Sequence, residues 1–336
     1  TNTWNLGLDV AMFNNRLTFS LDYFDSRSKD LIMPVTISSV YGTDCMYRNL
    51  GEVSNKGIEF GAQLALIQNR DFKWYVGGTI STNKNEVKSL GGENSMILSM
   101  SDGSAVISEV GQPLYSFYGY QTDGVFATDD AVVAAGKDGQ ALTNAIGVAF
   151  AAGDMRFVDQ NGDGKIDKED RVNLGNALPD FYGTFYTNFQ YKGLAVSAVF
   201  GYSKGNKMYN AVRRTMESMS DFSNQLTSVT RRWMYEGQIT DIPRAVYGDP
   251  MENSRFSDRW IEDASYLKLK ELMVSYKFNL FAGTTVFVAA ENLFTATKYL
   301  GMDPETMYSY DSSMRGFDYG KIASPRTVKL GFKVQF

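Results

Sequence analysis

The sequence predicts an all-β chain: a transmembrane, antiparallel, up-and-down β-barrel segment of about nine strands with long extracellular loops, part of a larger barrel. Three observations predict it. Hydrophobicity alternates with a period of two in segments of about ten residues. Aromatic residues gather near the ends of those segments, and short and long connections alternate along the chain.

The elements follow in order. Trp4, Leu6, Leu8, Val10 and Met12 alternate with Asn5, Gly7, Asp9 and Ala11. After Asn14 and Asn15 a second run sets Leu17, Phe19, Leu21 and Tyr23 against Arg16, Thr18, Ser20 and Asp22, as in a hairpin with a tight turn. A second hairpin sets Ile58, Phe60, Ala62, Leu64 and Leu66 against Glu59, Gly61, Gln63 and Ala65. It continues through Phe72, Trp74, Val76, Gly78 and Ile80, opposite Lys73, Tyr75, Gly77, Thr79 and Ser81. A third joins "FYGTFYTNFQ" to "LAVSAVFGYS" across Tyr191, Lys192 and Gly193. The last three strands are "YLKLKELMVSYKF", "TTVFVAAENLF" and the terminal "VKLGFKVQF". In the last, Val328, Leu330, Phe332, Val334 and Phe336 share one face, and Lys329, Gly331, Lys333 and Gln335 the other.

Alternation alone leaves a soluble sandwich open. Charge deep inside the strands (Asp9, Asp22, Glu59, Lys73, Lys329) suits a watery lumen and also a sandwich's outer face. Rings near strand ends (Trp4, Tyr23, Phe24, Phe72, Trp74, Phe181, Tyr191, Phe278, Phe336) suit a membrane interface. The connections discriminate best. Short turns at 14 to 15, 68 to 71, 191 to 193 and 279 to 283 alternate with long loops at roughly 28 to 48, 86 to 180, 204 to 263 and 296 to 325. A barrel keeps its short turns at the periplasmic end and its long loops outside, whereas a sandwich has no reason to obey that parity. The same parity requires zero or two barrel strands between "FKWYVGG" and "FYGTFYTN". Zero is expected, with "YSFYGYQTDGVF" an extended chain inside the loop. An odd strand count leaves two edges unpaired in lipid, and Thr1 leads almost directly into a strand, so a C-terminal portion of a larger barrel is expected.

Composition excludes other classes. No run of eighteen apolar residues marks a membrane helix, the lone Cys45 forms no internal disulfide, and the absence of His removes the usual general base and zinc ligand. A net charge of −5 gives no basic field for nucleic acid. The chain is not expected to be an enzyme.

The stretches "DMRFVDQNGDGKIDKEDRVNLGNALPDFYGTFYTNFQYKGLAVSAVFGYSKGNKMYN", "RWIEDASYLKLKELMVSYKF" and "VFVAAENLFTATKYLGMDPE", with the terminal strand, resemble the C-terminal third of the SusC/RagA family of TonB-dependent outer-membrane importers of the Bacteroidetes. The resemblance covers nearly the whole chain. It implies a barrel of about twenty-two strands, of which residues 1–336 would be the last part, with a plug domain and TonB box that this sequence lacks. It also implies a SusD-like surface lipoprotein as lid, TonB as energy source, outer-membrane lipid around the wall, and oligosaccharides or peptides as substrate. A passive porin-like channel and a surface adhesin are the alternatives.

One motif carries its own chemistry. In "DQNGDGKIDKED", Asp159, Asn161 and Asp163 stand at positions 1, 3 and 5 of a calcium-type loop, Gly164 at the turn and the Lys165 carbonyl at 7. Asp167 and Asp170 fall at 9 and 12. Asp170 is shorter than the usual Glu, and a metal-free acidic turn is the plain alternative. Among loop aromatics, Tyr115, Tyr118, Tyr120 and Trp233 are candidates for stacking on a substrate, as are Phe117, Tyr235 and Trp260. The alternative is that such rings pack the loops onto themselves. Arg231 and Arg232 could meet an acidic substrate or the lid, or remain solvated.

Overall fold

The computed structural model describes residues 1–43, 45–278 and 283–334. The expectations for Gln335, Phe336 and most of the turn at 279 to 283 lie outside the described residues, as does the Cys45 side chain. The wall is one nine-stranded sheet in which each strand pairs antiparallel with the next in sequence. The strands are β1 (Asn2–Met12), β2 (Leu17–Thr36), β3 (Cys45–Gln68), β4 (Phe72–Leu90) and β5 (Phe181–Tyr191). They continue as β6 (Leu194–Lys204), β7 (Tyr266–Phe278), β8 (Thr284–Thr297) and β9 (Thr327–Val334). Direct pairing of β4 with β5 bears out zero intervening barrel strands.

Register turns the alternation into two continuous surfaces. Leu8 lies opposite Leu21, Leu21 opposite Phe60, and Phe60 opposite Ile80. Farther along, Val196, Val274, Val288 and Leu330 form another such row. Many of these side chains are solvent-exposed, Leu8 at 55% and Leu330 at 77%. In water such a band would be costly, and in a bilayer it is the matching surface. The opposite face carries Asp9, Ser20, Gly61, Thr79 and Thr184 in one row, and Lys329 pairs with Glu291 there.

Aromatics mark both rims. At the short-turn end, Phe72 meets Phe189 edge-on at 5.0 Å, and Tyr276 meets Phe278 at 4.8 Å. Trp74 Nε1 donates to Thr187 Oγ1 at 2.9 Å, so its one polar group is satisfied. At the long-loop end, the Tyr202 ring lies across Gly183 and its hydroxyl donates to the Thr79 carbonyl at 2.9 Å. A Cβ on Gly183 would sit 2.0 Å from that carbonyl oxygen, so the close approach requires glycine. The turn after β1 holds Phe13, Asn14 and Asn15 at φ 54, 56 and 66°, a region that asparagine tolerates.

Two loop expectations need correction. Residues 28 to 48 are mostly strand: β2 runs on to Thr36 and β3 begins at Cys45. The ladder continues through register shifts between Ser28 and Ile32. These bulges break the alternation, and the extension is held from inside by Met33, Val87 and Leu90, packed with Leu31, Met96 and Leu114. Likewise β4 continues to Leu90, beyond the expected end near residue 85.

The long loops are folded. In the connection after β4, Arg171–Gly175, Ser116–Tyr120, Ala105–Glu109 and Ser95–Ser99 form a four-stranded sheet in that order. Thr122–Val125 pairs with Met155–Phe157, so "YSFYGYQTDGVF" is extended and also paired. Helix α1 (Asp129–Ala135) starts at Thr128, whose side chain accepts from the Ala131 amide. Helix α2 (Ala211–Glu217) starts at Asn210, which accepts from Arg213. Lys207–Asn210, Ile261–Asp263 and Phe317–Asp318 form one small sheet, tying the second and third long loops together.

Candidate functional site

The loop assembly has larger buried cores than the wall, whose own cluster is the one at Met33, Val87 and Leu90. Val106, Phe117 and Leu174 from the first long loop pack with Tyr209, Ala211, Phe256 and Trp260 from the second and Phe317 from the third. Phe117 and Trp260 are therefore packing residues, 0% and 1% exposed. Trp260 also has two guanidinium groups against its ring, Arg213 at 5.4 Å from the centroid and Arg259 at 4.6 Å. Beneath this assembly, Lys268 of β7 is buried and reaches Asp303 and Glu305 of the third loop, each at 3.1 Å. Lys270 also contacts Glu305.

The structure brings two of the four candidate stacking residues together. Tyr118 and Tyr120 line one cleft of about 480 Å³ with Arg171, Arg214, Glu252 and Arg255. The Arg171 guanidinium lies 4.9 Å above the Tyr118 ring, and Arg255 lies 4.9 Å above Tyr120. Burial pushes the Tyr120 hydroxyl up against the opposing pull of those two arginines. Asp102 opposes Arg214 at 3.5 Å. Burial would raise its carboxyl, but hydrogen bonds from Ser104, Tyr209 and Tyr319 hold it below the ordinary value.

Tyr115 and Trp233 stand elsewhere. Tyr115 packs against the loop core, and burial raises its hydroxyl. Trp233 donates from Nε1 to the Ala127 carbonyl at 3.4 Å and covers Gly153. Tyr235 is exposed. Arg231 pairs with Asp241 at 3.3 Å on the surface, and Arg232 reaches the Val229 carbonyl at 3.5 Å. The arginines and acids of the cleft escaped sequence reasoning because residues 102, 171, 214, 252 and 255 come from two loops with no shared spacing. A second cleft of about 580 Å³ is rich in amides and charges, with Gln112, Gln121, Asn173, Asn176, Lys207 and Asp258 on its walls.

The calcium-type loop is one compact turn. Gly162 and Gly164 take φ 72° and 84°. Asp159 accepts from the Gly162 amide at 2.8 Å and from Gly164 at 2.7 Å, Asn161 from Asp163 at 3.0 Å, and Asp163 from Lys165 at 2.9 Å. Asp167 and Asp170 form a reciprocal capping box. Burial raises the Asp170 carboxyl, its amide donors oppose that, and the neighbouring Asp159 and Asp167 add to the rise. Ile166, directly after Lys165, is fully buried in a second loop core with Phe126, Val132, Leu142 and Met155. Among the described residues, no three Asp, Glu, Cys or His side chains group closely enough to hold a metal ion.

An apolar belt, a polar inner face, aromatic rims and folded loops on one side define an outer-membrane β-barrel wall. The chain belongs to the family described as TonB dependent receptor-like, beta-barrel, whose pattern matches residues 1–293. It is 31% identical to TonB-dependent receptor P3 of Formosa agariphila over 99% of this chain and 34% of that protein. It is 27% identical to TonB-dependent receptor SusC of Bacteroides thetaiotaomicron over 100% of this chain and 32% of that one. Among solved structures it is similar to a chain of the RagAB peptide transporter, with a TM-score of 0.78 and 24% identity over 98% of this chain and 34% of that one. A RagAB peptide importer in the "closed-closed" state gives a TM-score of 0.70 at 27% identity, over 90% of this chain and 32% of that one. The chain thus spans about a third of the length of these relatives, and none of those named here is an enzyme.

Proposed function

We propose that this chain forms the C-terminal part of the barrel of a TonB-dependent importer, whose loops receive an oligosaccharide or peptide beneath a SusD-like surface lipoprotein. The observation that carries the reading is the fusion of three long loops, through one shared core and one shared small sheet, into a folded platform on the long-loop rim of a lipid-facing wall. A passive pore needs only the wall. A platform with two polar clefts supplies places to hold cargo before it enters, and the names of the SusC and RagAB relatives support import. The chain's own residues would supply the polar inner wall, the cleft arginines, acids and tyrosines, and the Lys268 anchor that holds the platform over the lumen. Uptake of labelled oligosaccharide and peptide pools by cells with and without the intact receptor tests this, with and without a protonophore. Uptake that requires the receptor but persists after the proton gradient is collapsed would favour the porin-like channel. Surface binding without uptake would favour the adhesin. Recovery of a surface lipoprotein with the receptor in detergent tests the lid.

A second, local reading is that the loop 159–170 takes a structural calcium ion through Asp159, Asn161, Asp163, the Lys165 carbonyl, Asp167 and Asp170. It is supported by the spacing and by the two left-handed glycines that fold these oxygens into one turn. The carboxylates now accept loop amides and are not gathered around a common point, so binding would require them to turn toward the cation, each with lone pairs to offer it.

A further inference from the structure

Above the apolar belt the outward face of the wall becomes cationic. On β6 the outward residues run Phe200, Tyr202, Lys204, and on β8 they run Phe294, Ala296, with Lys298 next in the same alternation. Phe181, Tyr202, Lys204, Ala296 and Lys298 line one open groove of about 470 Å³ on the long-loop rim. The Phe181 and Tyr202 rings meet at 6.2 Å and form its apolar wall. Lys204 stands directly across from Phe181, one outward position beyond Tyr202, and Lys298 follows Ala296 of the Tyr202 row. Asp263 is the acid shared by this pair: Lys204 stands 3.9 Å from it, and both ammonium groups help to hold its carboxyl low, after the larger effect of Ser265. Lys298 makes no ion pair among the described residues, and Lys204 is 57% exposed.

The same transition recurs across the sheet. One row above the Tyr23–Ile58 pair, Asp25, Lys56 and Lys84 lie side by side on β2, β3 and β4. Asp25 pairs with Lys56 at 3.0 Å, while Lys84 has no ion pair among the described residues. Two separated stations thus place an excess of lysine at the height where the lipid-facing belt ends, which is where the outer leaflet presents its headgroups.

We propose that the groove between Phe181, Tyr202, Lys204 and Lys298 binds a phosphate-bearing glycolipid of the outer leaflet, acyl chain against the rings and phosphate between the lysines. The groove is continuous with the lipid-facing surface, so its occupant arrives from the bilayer. A diffusible anion would have no use for the ring wall.

The test uses the intact receptor in detergent, read by native mass spectrometry. The probes are bis-phosphorylated lipid A, dephosphorylated lipid A and inorganic phosphate. Bis-phosphorylated lipid A should bind, and the Lys204→Ala/Lys298→Ala variant should bind it about 25-fold more weakly, on the basis of about 1 kcal/mol for each juxtamembrane basic residue. A Lys137→Ala/Lys168→Ala control, in the loop platform away from the belt, should bind as the parent does. Heat-resistant migration establishes that each variant is folded. Equal binding of dephosphorylated lipid A, unchanged binding in the groove variant, or displacement of lipid A by equimolar inorganic phosphate would each overturn the proposal.

Discussion

The wall and the loop platform use the same apolar residue types for opposite purposes. In the wall, Leu8, Val288 and Leu330 stand exposed along strands with no second layer against their apolar face. In the platform, Phe117, Trp260 and Phe317 are at most 1% exposed and have one another as neighbours. The wall leaves its apolar face to lipid, so its stability comes from the hydrogen-bond ladders between neighbouring strands and a matching solvent. The platform meets water and must bury its own core. A change that damages one region should therefore leave the other largely standing.

The largest expected effect tests that independence. Trp260→Ala empties a buried site shared by the loops and should cost the platform about 3–5 kcal/mol. Limited proteolysis should open sites between residues 91 and 265, while heat-resistant migration of the barrel persists. Loss of the folded barrel together with the loops would break the comparison.

Lys268 is the joint between the regions. Lys268→Ala leaves Asp303 and Glu305 without their buried partner and should cost about 3–5 kcal/mol, released as undocking of the loop at residues 298–326. Burial would raise both acids above their ordinary values of 3.8 and 4.5. Donors outweigh it: the Glu305 and Ser324 amides and Lys268 on Asp303, and Lys270 and Lys268 on Glu305. Both folded values are therefore lowered. Their contribution is present above the ordinary carboxylate range and is lost as pH falls through the lowered values. Hydrogen-exchange protection of residues 298–326, relative to the intrinsic rate at each pH, should be high at pH 7 and fall below about pH 4. Protection that is already absent at pH 7, or indifferent to acid, would contradict the joint.

Next comes the wall itself. Phe332→Lys puts a charge on the lipid face, where the cost is about 2–4 kcal/mol at the midplane and falls toward the rims, whereas Lys333→Gln, on the lumen face, should cost far less. Denaturant unfolding in liposomes measures both, and equal losses would remove the distinction between the faces.

The same contrast explains what was legible in the sequence. A period of two is local, so all nine strands and both faces could be read from neighbours such as Leu6, Leu8 and Val10. The strand extensions could not, because bulges near Ser28 and Glu52 shift the phase while pairing continues. The platform was least legible. Its core joins Val106, Tyr209 and Phe317, more than two hundred residues apart at the extremes, and no spacing announces such a contact. Phe117 and Trp260 follow the packing alternative, which local sequence cannot separate from stacking, and no spacing points to the arginines of the Tyr118–Tyr120 cleft. The acidic loop was legible because its chemistry lies within twelve consecutive residues.

That loop gives the smallest predicted effect and the sharpest local one. Residues 121 to 180 hold eleven acidic and five basic side chains, a net of −6. Four of the acids, Asp159, Asp163, Asp167 and Asp170, fall within one turn, where their repulsion is relieved by amide donors but, among the described residues, no lysine or arginine forms an ion pair with them. Calcium at ten times its dissociation constant would add about 1.4 kcal/mol to the folded turn. Extracellular modules commonly bind at about 10⁻⁴–10⁻³ M, so millimolar calcium outside the cell would be enough. Because Ile166 inserts into the core of Phe126, Val132 and Met155, ordering should spread from the turn into that core but not into the wall. Cleavage between residues 150 and 175 should therefore rise on chelation and in Asp163→Ala, with heat-resistant migration unchanged. If neither treatment alters the digestion pattern, and no calcium is found with the purified receptor, the turn is held by its amide network alone.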